Sequence, residues 1–281
     1  MRKIFLIFSF FILSISLSLT AQEKKVETLA IGQKAPDFAL MGVDDKRYTL
    51  ASFSEHDILV ILFTCNHCPT AQAYEDKFIK YVNHYRDKGV GFVGISPNSP
   101  GALSLSELGY SDMGDDFEDM KVRAKDKKYN FPYLYDGDTQ EASLQYGPVA
   151  TPHVFIFDKE RKLQYAGRID DTENPYIEPR EKNMEEALDA MLAGEAVKVP
   201  TTKTFGCSVK WAWKDEWKKK LVIDWANEPV TLEEISAEGI QNEIRNAGDN
   251  LKLINIWATW CGPCVIEFPD FITIDRMYRG R

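Results

Sequence analysis

A run of six branched and aromatic residues, Ile58-Leu59-Val60-Ile61-Leu62-Phe63, leads through Thr64 into Cys65-Asn66-His67-Cys68, and a helical pattern follows from Pro69 to about Tyr85. An unbroken apolar run this short, bounded by polar residues, fits a strand buried on both faces of a parallel sheet. Gly89 to Ile95 supplies a second such strand, so strand, cysteine turn, helix and strand form a βαβ unit. The order returns near the C-terminus, where a strand over Leu251 to Trp257 precedes Cys261-Gly262-Pro263-Cys264 and the start of another helix. The pattern predicts an α/β fold with a dithiol at a helix N-terminus, present twice.

The attacking species in disulfide exchange is the thiolate, and free cysteine is mostly protonated near neutrality. A helix N-terminus directs unpaired amide N–H groups and the positive dipole end at the sulfur. Cys65 and Cys261 each sit at such an end. Cys68 and Cys264 lie one turn further on, where each can resolve a mixed disulfide. His67 can favour the thiolate by charge or hydrogen bond and make its pair more oxidising, unless it is only a solvent-exposed turn residue. Gly262-Pro263 offers no such group, so that pair is expected to be more reducing. A metal knuckle or a static disulfide is the alternative, but zinc knuckles need two pairs close in space, and here each pair opens its own βα unit.

Past the βαβ unit, residues 97–135 are polar and rich in Gly, Ser and Asp, with one helix between Asp115 and Lys127. A second helix fits Gln140 to Tyr146. Ala150-Thr151-Pro152-His153 then opens the strand Val154 to Phe157, residues 163–169 return as a hairpin, and Glu181 to Leu192 forms a closing helix. X-Pro is the only inexpensive place for a cis peptide bond, so Thr151 and Pro152 are expected to face the cysteine turn and present an incoming peptide; a trans turn proline is the alternative. His153 reads as a half-buried strand histidine, or else as a copper or zinc ligand beside Cys65 and Cys68. Cys207, in Thr204-Phe205-Gly206-Cys207-Ser208, is left over from the two pairs. It is either an exchangeable thiol relaying between them or an inert buried one.

At the N-terminus, Met1-Arg2-Lys3, an apolar run from Ile4 to about Leu19 and Thr20-Ala21-Gln22 together read as a secretory signal peptide over residues 1–21, the alternative being an uncleaved membrane anchor. Either places the bulk of the chain in the periplasm or an equivalent compartment, where disulfides persist. No other stretch is long and apolar enough to cross a membrane. The net charge of −9 argues against a nucleic-acid partner. The 281 residues divide into a first domain over 22–200, a linker over 201–230 and the start of a second domain over 231–281. The linker carries Trp211, Trp213, Trp217 and Trp225 among lysines; it packs its tryptophans on a domain surface or contacts a membrane surface. The last unit lacks the strands that would cover its helix, and on that ground the sequence reads as breaking off inside a domain. No cofactor and no resident metal are called for.

The order of elements over 22–200 is that of a thioredoxin domain, a central mixed sheet flanked by helices. Residues from about 30 to 200 resemble the bacterial redoxins, the peroxiredoxin-like branch of the thioredoxin superfamily. The resemblance rests on Phe63-Thr64-Cys65-Asn66-His67-Cys68-Pro69, Ile95-Ser96-Pro97-Asn98, Asn130-Phe131-Pro132-Tyr133-Leu134, Ala150-Thr151-Pro152-His153-Val154-Phe155 and Tyr165-Ala166-Gly167-Arg168-Ile169-Asp170. Gly206-Cys207-Ser208 before Trp211 is similar to a stretch in the same proteins. The resemblance implies Cys65 as nucleophile, Cys68 as resolving thiol and Pro152 as a cis-proline. Residues 231–281 resemble the start of an exported thioredoxin of cytochrome c maturation through Trp257-Ala258-Thr259-Trp260-Cys261-Gly262-Pro263-Cys264, Glu267 and Pro269. Asn255 stands where cytoplasmic thioredoxin has a buried aspartate, and Glu267 could serve as the buried acid instead. Peroxiredoxins place a threonine three residues before the peroxidatic cysteine; before Cys65 that position is Leu62. The sequence therefore points to an exported thiol–disulfide oxidoreductase. Its expected partners are protein or small thiols and disulfides, or a membrane-bound thiol reductant. The rivals are a thiol peroxidase and a copper or zinc carrier.

Overall fold

The computed structural model describes residues 26–104, 107, 113–174, 176–245, 247–248 and 252–279, so the signal-peptide segment lies outside the described residues. In chain order a hairpin of β1 (Ala39–Gly42) and β2 (Arg47–Thr49) precedes β3 (Ile58–Phe63), α1 (Pro69–Tyr85) and β4 (Val90–Ser96). Then come α2 (Phe117–Asp126), β5 (Tyr133–Tyr135), α3 (Glu141–Tyr146), β6 (Ala150–Thr151), β7 (His153–Phe157), β8 (Leu163–Gly167), α4 (Asn183–Leu192) and β9 (Cys207–Ser208). Three helices follow: α5 (Asp215–Asn227), α6 (Ala237–Arg245) and α7 (Gly262–Tyr278).

Seven strands form one sheet in the order β2-β1-β5-β4-β3-β7-β8. β3 runs parallel to β4 and antiparallel to β7, placing Phe63 opposite both Ile95 and His153. All six residues of β3 are buried, which is why the stretch reads as continuously apolar rather than alternating. The two-residue period still sorts them. Val60 and Leu62 join Phe78 and Val82 of α1 and Met184 and Leu188 of α4 in one core, while Leu59, Ile61 and Phe63 join Tyr146, Phe155 and Phe157 in the other. Phe78 sets its ring edge-on against Phe92 and Phe131, at 5.7 and 5.0 Å, and so locks α1 to the sheet. That packing brings the N-terminus of α1 to the C-terminal end of β3, where the cysteines lie.

Two features depart from the sequence reading. The stretch 97–135 ends in β5, a strand of three residues after Pro132, too short to display a period. The segment from 201 is more than a connection. β9 pairs antiparallel with β6, Thr151 opposite Cys207, and Val209, Lys210 and Trp211 are buried behind it. Trp211 stacks on Trp213 with ring centroids 5.0 Å apart.

Beyond Trp211 no described residue is buried. The strand expected over 251–257 is not formed among its described residues, 252–257, which carry no ladder partner. A lone strand leaves its N–H and C=O groups unpaired and gains nothing over solvated coil. No helix among the described residues is long and apolar enough to cross a membrane.

Candidate active site

Cys68 is the N-cap of α1 and contributes no side-chain cap of its own, and Pro69 occupies the first helical turn, where its missing N–H costs nothing. The cysteine turn is held from outside by Asp115, which stands just ahead of α2 and is buried. Its Oδ1 accepts the backbone N–H groups of Asn66 and His67 at 2.8 and 3.0 Å. Its Oδ2 pairs with His67 Nδ1 at 2.6 Å and accepts from Asn98 Nδ2 at 2.7 Å. Asn66 is fixed further by Gln72 Nε2, which donates to its carbonyl at 2.6 Å, and by its own Nδ2, which donates to Gly114 O at 2.9 Å.

The two backbone N–H groups that follow Cys65 in the turn are therefore taken. The N–H groups of Asn66 and His67 point at a carboxylate rather than at the sulfur. His67 is not an exposed turn residue; it is buried at 1% exposure, and its Nε2 has no hydrogen-bond partner among the described residues.

The Thr151–Pro152 peptide bond is cis. Thr151 sits across from both cysteines, its Oγ1 3.1 Å from Cys65 Sγ and its carbonyl accepting from Cys68 Sγ at 3.3 Å. Cys207 closes the group from β9, its N–H donating to Cys68 Sγ at 3.3 Å. Cys65 and Cys68 share one buried cluster, and Cys207 packs against it. The three cysteines thus make a row with Cys68 in the middle, and none of them is in a disulfide.

Burial pushes the Cys65 thiol well above its ordinary pKa, helped by donation to Cys68 and by the nearby Asp115 charge. Cys68 moves the other way, because the thiols of Cys207 and Cys65 both donate to its sulfur and outweigh its burial. Cys207 is pushed up chiefly by that same donation. Burial thus works against charge on Cys65, while hydrogen bonds favour it on Cys68.

His153 is fully buried rather than half-buried. It accepts from Val149 N at 3.3 Å, and burial drives its pKa down to about 3. The donor atoms that gather within 4.8 Å of one another are those of Cys65, His67 and Asp115 rather than Cys65, Cys68 and His153. Four hydrogen bonds already use the Asp115 carboxylate, so this group is a hydrogen-bond hub as it stands.

The sequence reading missed Asp115, although Asp115-Asp116 directly before a helix marks a cap. Asp116 is that cap, accepting from Asp119 N at 2.9 Å, and Asp115 is turned inward by being one residue earlier.

In the C-terminal stretch Cys261 and Cys264 form a disulfide with Cα atoms 5.3 Å apart, at the N-terminus of α7. Glu267 is exposed on α7, not a buried acid, because nothing among the described residues packs over that face.

The mixed sheet with its helix-capping dithiol and facing cis-proline is the thioredoxin fold. Residues 31–166 match the AhpC/TSA family. An uncharacterized conserved protein from Geobacillus kaustophilus is 36% identical, with 65% of this chain covering 92% of that one at a TM-score of 0.57. A hypothetical protein from Sinorhizobium meliloti is 29% identical, with 66% of this chain covering 97% of it at a TM-score of 0.58. The thiol:disulfide interchange protein HelX of Rhodobacter capsulatus is 36% identical over 47 residues, which span 17% of this chain and 27% of that protein. Residues 31–166 are thus similar to the AhpC/TSA family, on a thioredoxin fold.

Proposed function

We propose that this chain is an extracytoplasmic thiol–disulfide oxidoreductase whose working couple is the Cys65–Cys68 dithiol and disulfide. The observation that carries the reading is the C-x-x-C pair set against the cis Thr151–Pro152 bond, with Thr151 Oγ1 3.1 Å from Cys65 Sγ, the Thr151 carbonyl 3.3 Å from Cys68 Sγ and the Cys207 N–H donating to Cys68 Sγ at 3.3 Å. A sulfur whose thiolate is stabilised by hydrogen bonds is a good leaving group, and that stabilisation in the reduced state makes the couple more oxidising. His67 and Asp115 fix the turn, and Thr151 holds both sulfurs. Cys65 attacks the partner and Cys68 completes the disulfide, the roles the resemblance implies. The compartment follows from the N-terminal leader pattern, and the partners are protein or small thiols and disulfides.

The test is a redox titration of the full chain with Cys207, Cys261 and Cys264 replaced by serine. The protein is equilibrated in graded glutathione buffers and trapped with a mass-tagging alkylator. One reversible two-thiol step is expected, displaced from thioredoxin's roughly −270 mV toward roughly −120 mV. Absence of any reversible step sinks the reading.

The match of residues 31–166 to the AhpC/TSA family keeps a thiol peroxidase in view. Leu62 is a core residue without a hydroxyl at the position where peroxiredoxins carry threonine. Rapid consumption of hydrogen peroxide by the reduced chain, lost with Cys65→Ser or Cys68→Ser, would move that activity to the front.

A further inference from the structure

The edge of β6 beside the cysteines is where an extended partner peptide would be expected to add by strand pairing. That edge is already taken. The chain's own β9 lies along it antiparallel, Ala150 opposite Ser208 and Thr151 opposite Cys207. The approach is close enough to require glycine next to it: Gly206 has φ +120, and a Cβ there would meet the Thr151 carbonyl oxygen at 2.1 Å. The following residues are clamped. Lys210 N donates to Asn98 Oδ1 at 2.9 Å, and its carbonyl accepts from Ser99 N and from Gln140 Nε2, both at 2.9 Å. Asn98 in turn donates to Asp115, so the β9 segment and the cysteine turn hang on one network.

Exposure within the row of thiols is graded. Cys65 and Cys68 show 2% and 0% of their surface, whereas Cys207 is half-buried. A solvent thiol or disulfide reaches Cys207 before either member of the C-x-x-C pair. Cys207 touches Cys68, the sulfur able to pair with either neighbour.

We infer that Cys207 is a third redox thiol, a tethered exchange partner on the docking edge that forms a disulfide with Cys68 and trades it with thiols from solution. The inference rests on the Cys65–Cys68 couple proposed above and names how that couple reaches its partners. In the oxidising direction the Cys207 thiolate attacks Cys68 of the Cys65–Cys68 disulfide. The Cys68–Cys207 bond forms, and Cys65 leaves and takes up the proton that Cys207 gave. A partner thiolate then attacks the sulfur of half-buried Cys207, making a mixed disulfide and expelling Cys68, the weakest base of the three and so the best leaving group. A second partner thiolate attacks the partner sulfur of that mixed disulfide, and Cys207 leaves. Two partner thiols have become one disulfide, their two electrons now reside on Cys65 and Cys68, and the two protons they lost go to the protein thiols or solvent. Every step is reversible, so the same row carries electrons outward to a partner disulfide.

The experiment uses the full chain with only Cys261 and Cys264 replaced by serine. It is reduced, exposed to glutathione disulfide for graded times, quenched with N-ethylmaleimide, and digested with trypsin without reduction. Cleavage after Arg47 and Lys77 leaves Cys65 and Cys68 together on residues 48–77, and cleavage after Lys203 and Lys210 leaves Cys207 on residues 204–210. The expected product is the first peptide linked to the second, beside a glutathione adduct on Cys207. Cys65→Ser is expected to trap the linked form, and Cys207→Ser to slow the disappearance of the two remaining thiols about tenfold or more. The inference is overturned if residues 204–210 are fully alkylated throughout and Cys207→Ser reacts at the parent rate. If the Cys65–Cys68 step still titrates under those conditions, only the role of Cys207 falls; if no pair titrates, the oxidoreductase reading falls with it.

Discussion

Asp115 concentrates more of the site than either cysteine does. One carboxylate holds two consecutive backbone N–H groups of the turn, the His67 ring and the Asn98 amide. An asparagine at this position keeps an oxygen for the two backbone donors but turns an NH2 group toward Asn98 and His67. Leaving buried donors without an acceptor costs about 1–3 kcal/mol each, more beside a charge. Asp115→Asn is therefore expected to destabilise the chain by about 2–4 kcal/mol in urea unfolding, and an unchanged midpoint would remove the hub from the account. His153 makes a different prediction. Its folded pKa is about 3, against an ordinary value of 6.5, because burial disfavours the charged ring. The unfolded chain thus binds the extra proton first as pH falls. The stability from this group is whole above pH 6.5 and drains between 6.5 and 3, by about 1.4 kcal/mol per pH unit. Between pH 6.5 and 5 the parent chain should lose about 1.5–2 kcal/mol more than a His153→Gln variant, measured by denaturant unfolding at both values.

At the scale of elements, β3 and α1 are specified by local chemistry and their neighbours by contacts far along the chain. Ile58 to Phe63 is apolar at every position because both faces are covered, and Pro69 after Cys68 starts α1 at the residue expected. Those elements, the hairpin of β7 and β8, and the C-x-x-C turn were all legible. β5 was not, since three residues show no period and their strand character comes from pairing with β4 and β1. Nor was β9, whose two residues are ordered by the edge of β6. Asp115 was hidden for the same reason: its partners lie 48 and 17 positions away. Gly206→Ala tests what holds β9. The added methyl cannot coexist with the Thr151 carbonyl, so the strand must lift. Alkylation of Cys207 should then accelerate about tenfold or more through local opening, with the global unfolding midpoint shifted far less. Equal alkylation rates in the two proteins would show that β9 is not pinned at this point.

The molecule as a whole is uneven in where it buries residues. The buried residues of both cores lie between Phe38 and Trp211, while α5, α6 and α7 contribute no buried residue among those described. Trp211 is at 8% exposure and Trp217, on α5, at 64%, so the tryptophan-rich stretch divides within a few residues into a buried part and an exposed one. Folding free energy follows burial, and the boundary of the cooperative unit should fall just past Trp211 rather than near residue 200. Two shortened chains separate these boundaries. Ending the chain after Val230 removes only exposed or half-exposed residues, and the unfolding midpoint should stay within about 0.5 kcal/mol of the full chain. Ending it after Thr204 removes β9, Val209, Lys210 and Trp211. It also strips Asn98 Oδ1 and Gln140 of the backbone partners they hold in the full chain. Lost apolar burial and newly unpaired buried groups should together cost about 3–5 kcal/mol. Circular dichroism melts in urea on the three lengths give the answer directly: if the two shortened chains unfold together, the segment after residue 204 is an ornament on a domain already complete, and the site must owe its closure to the sheet alone.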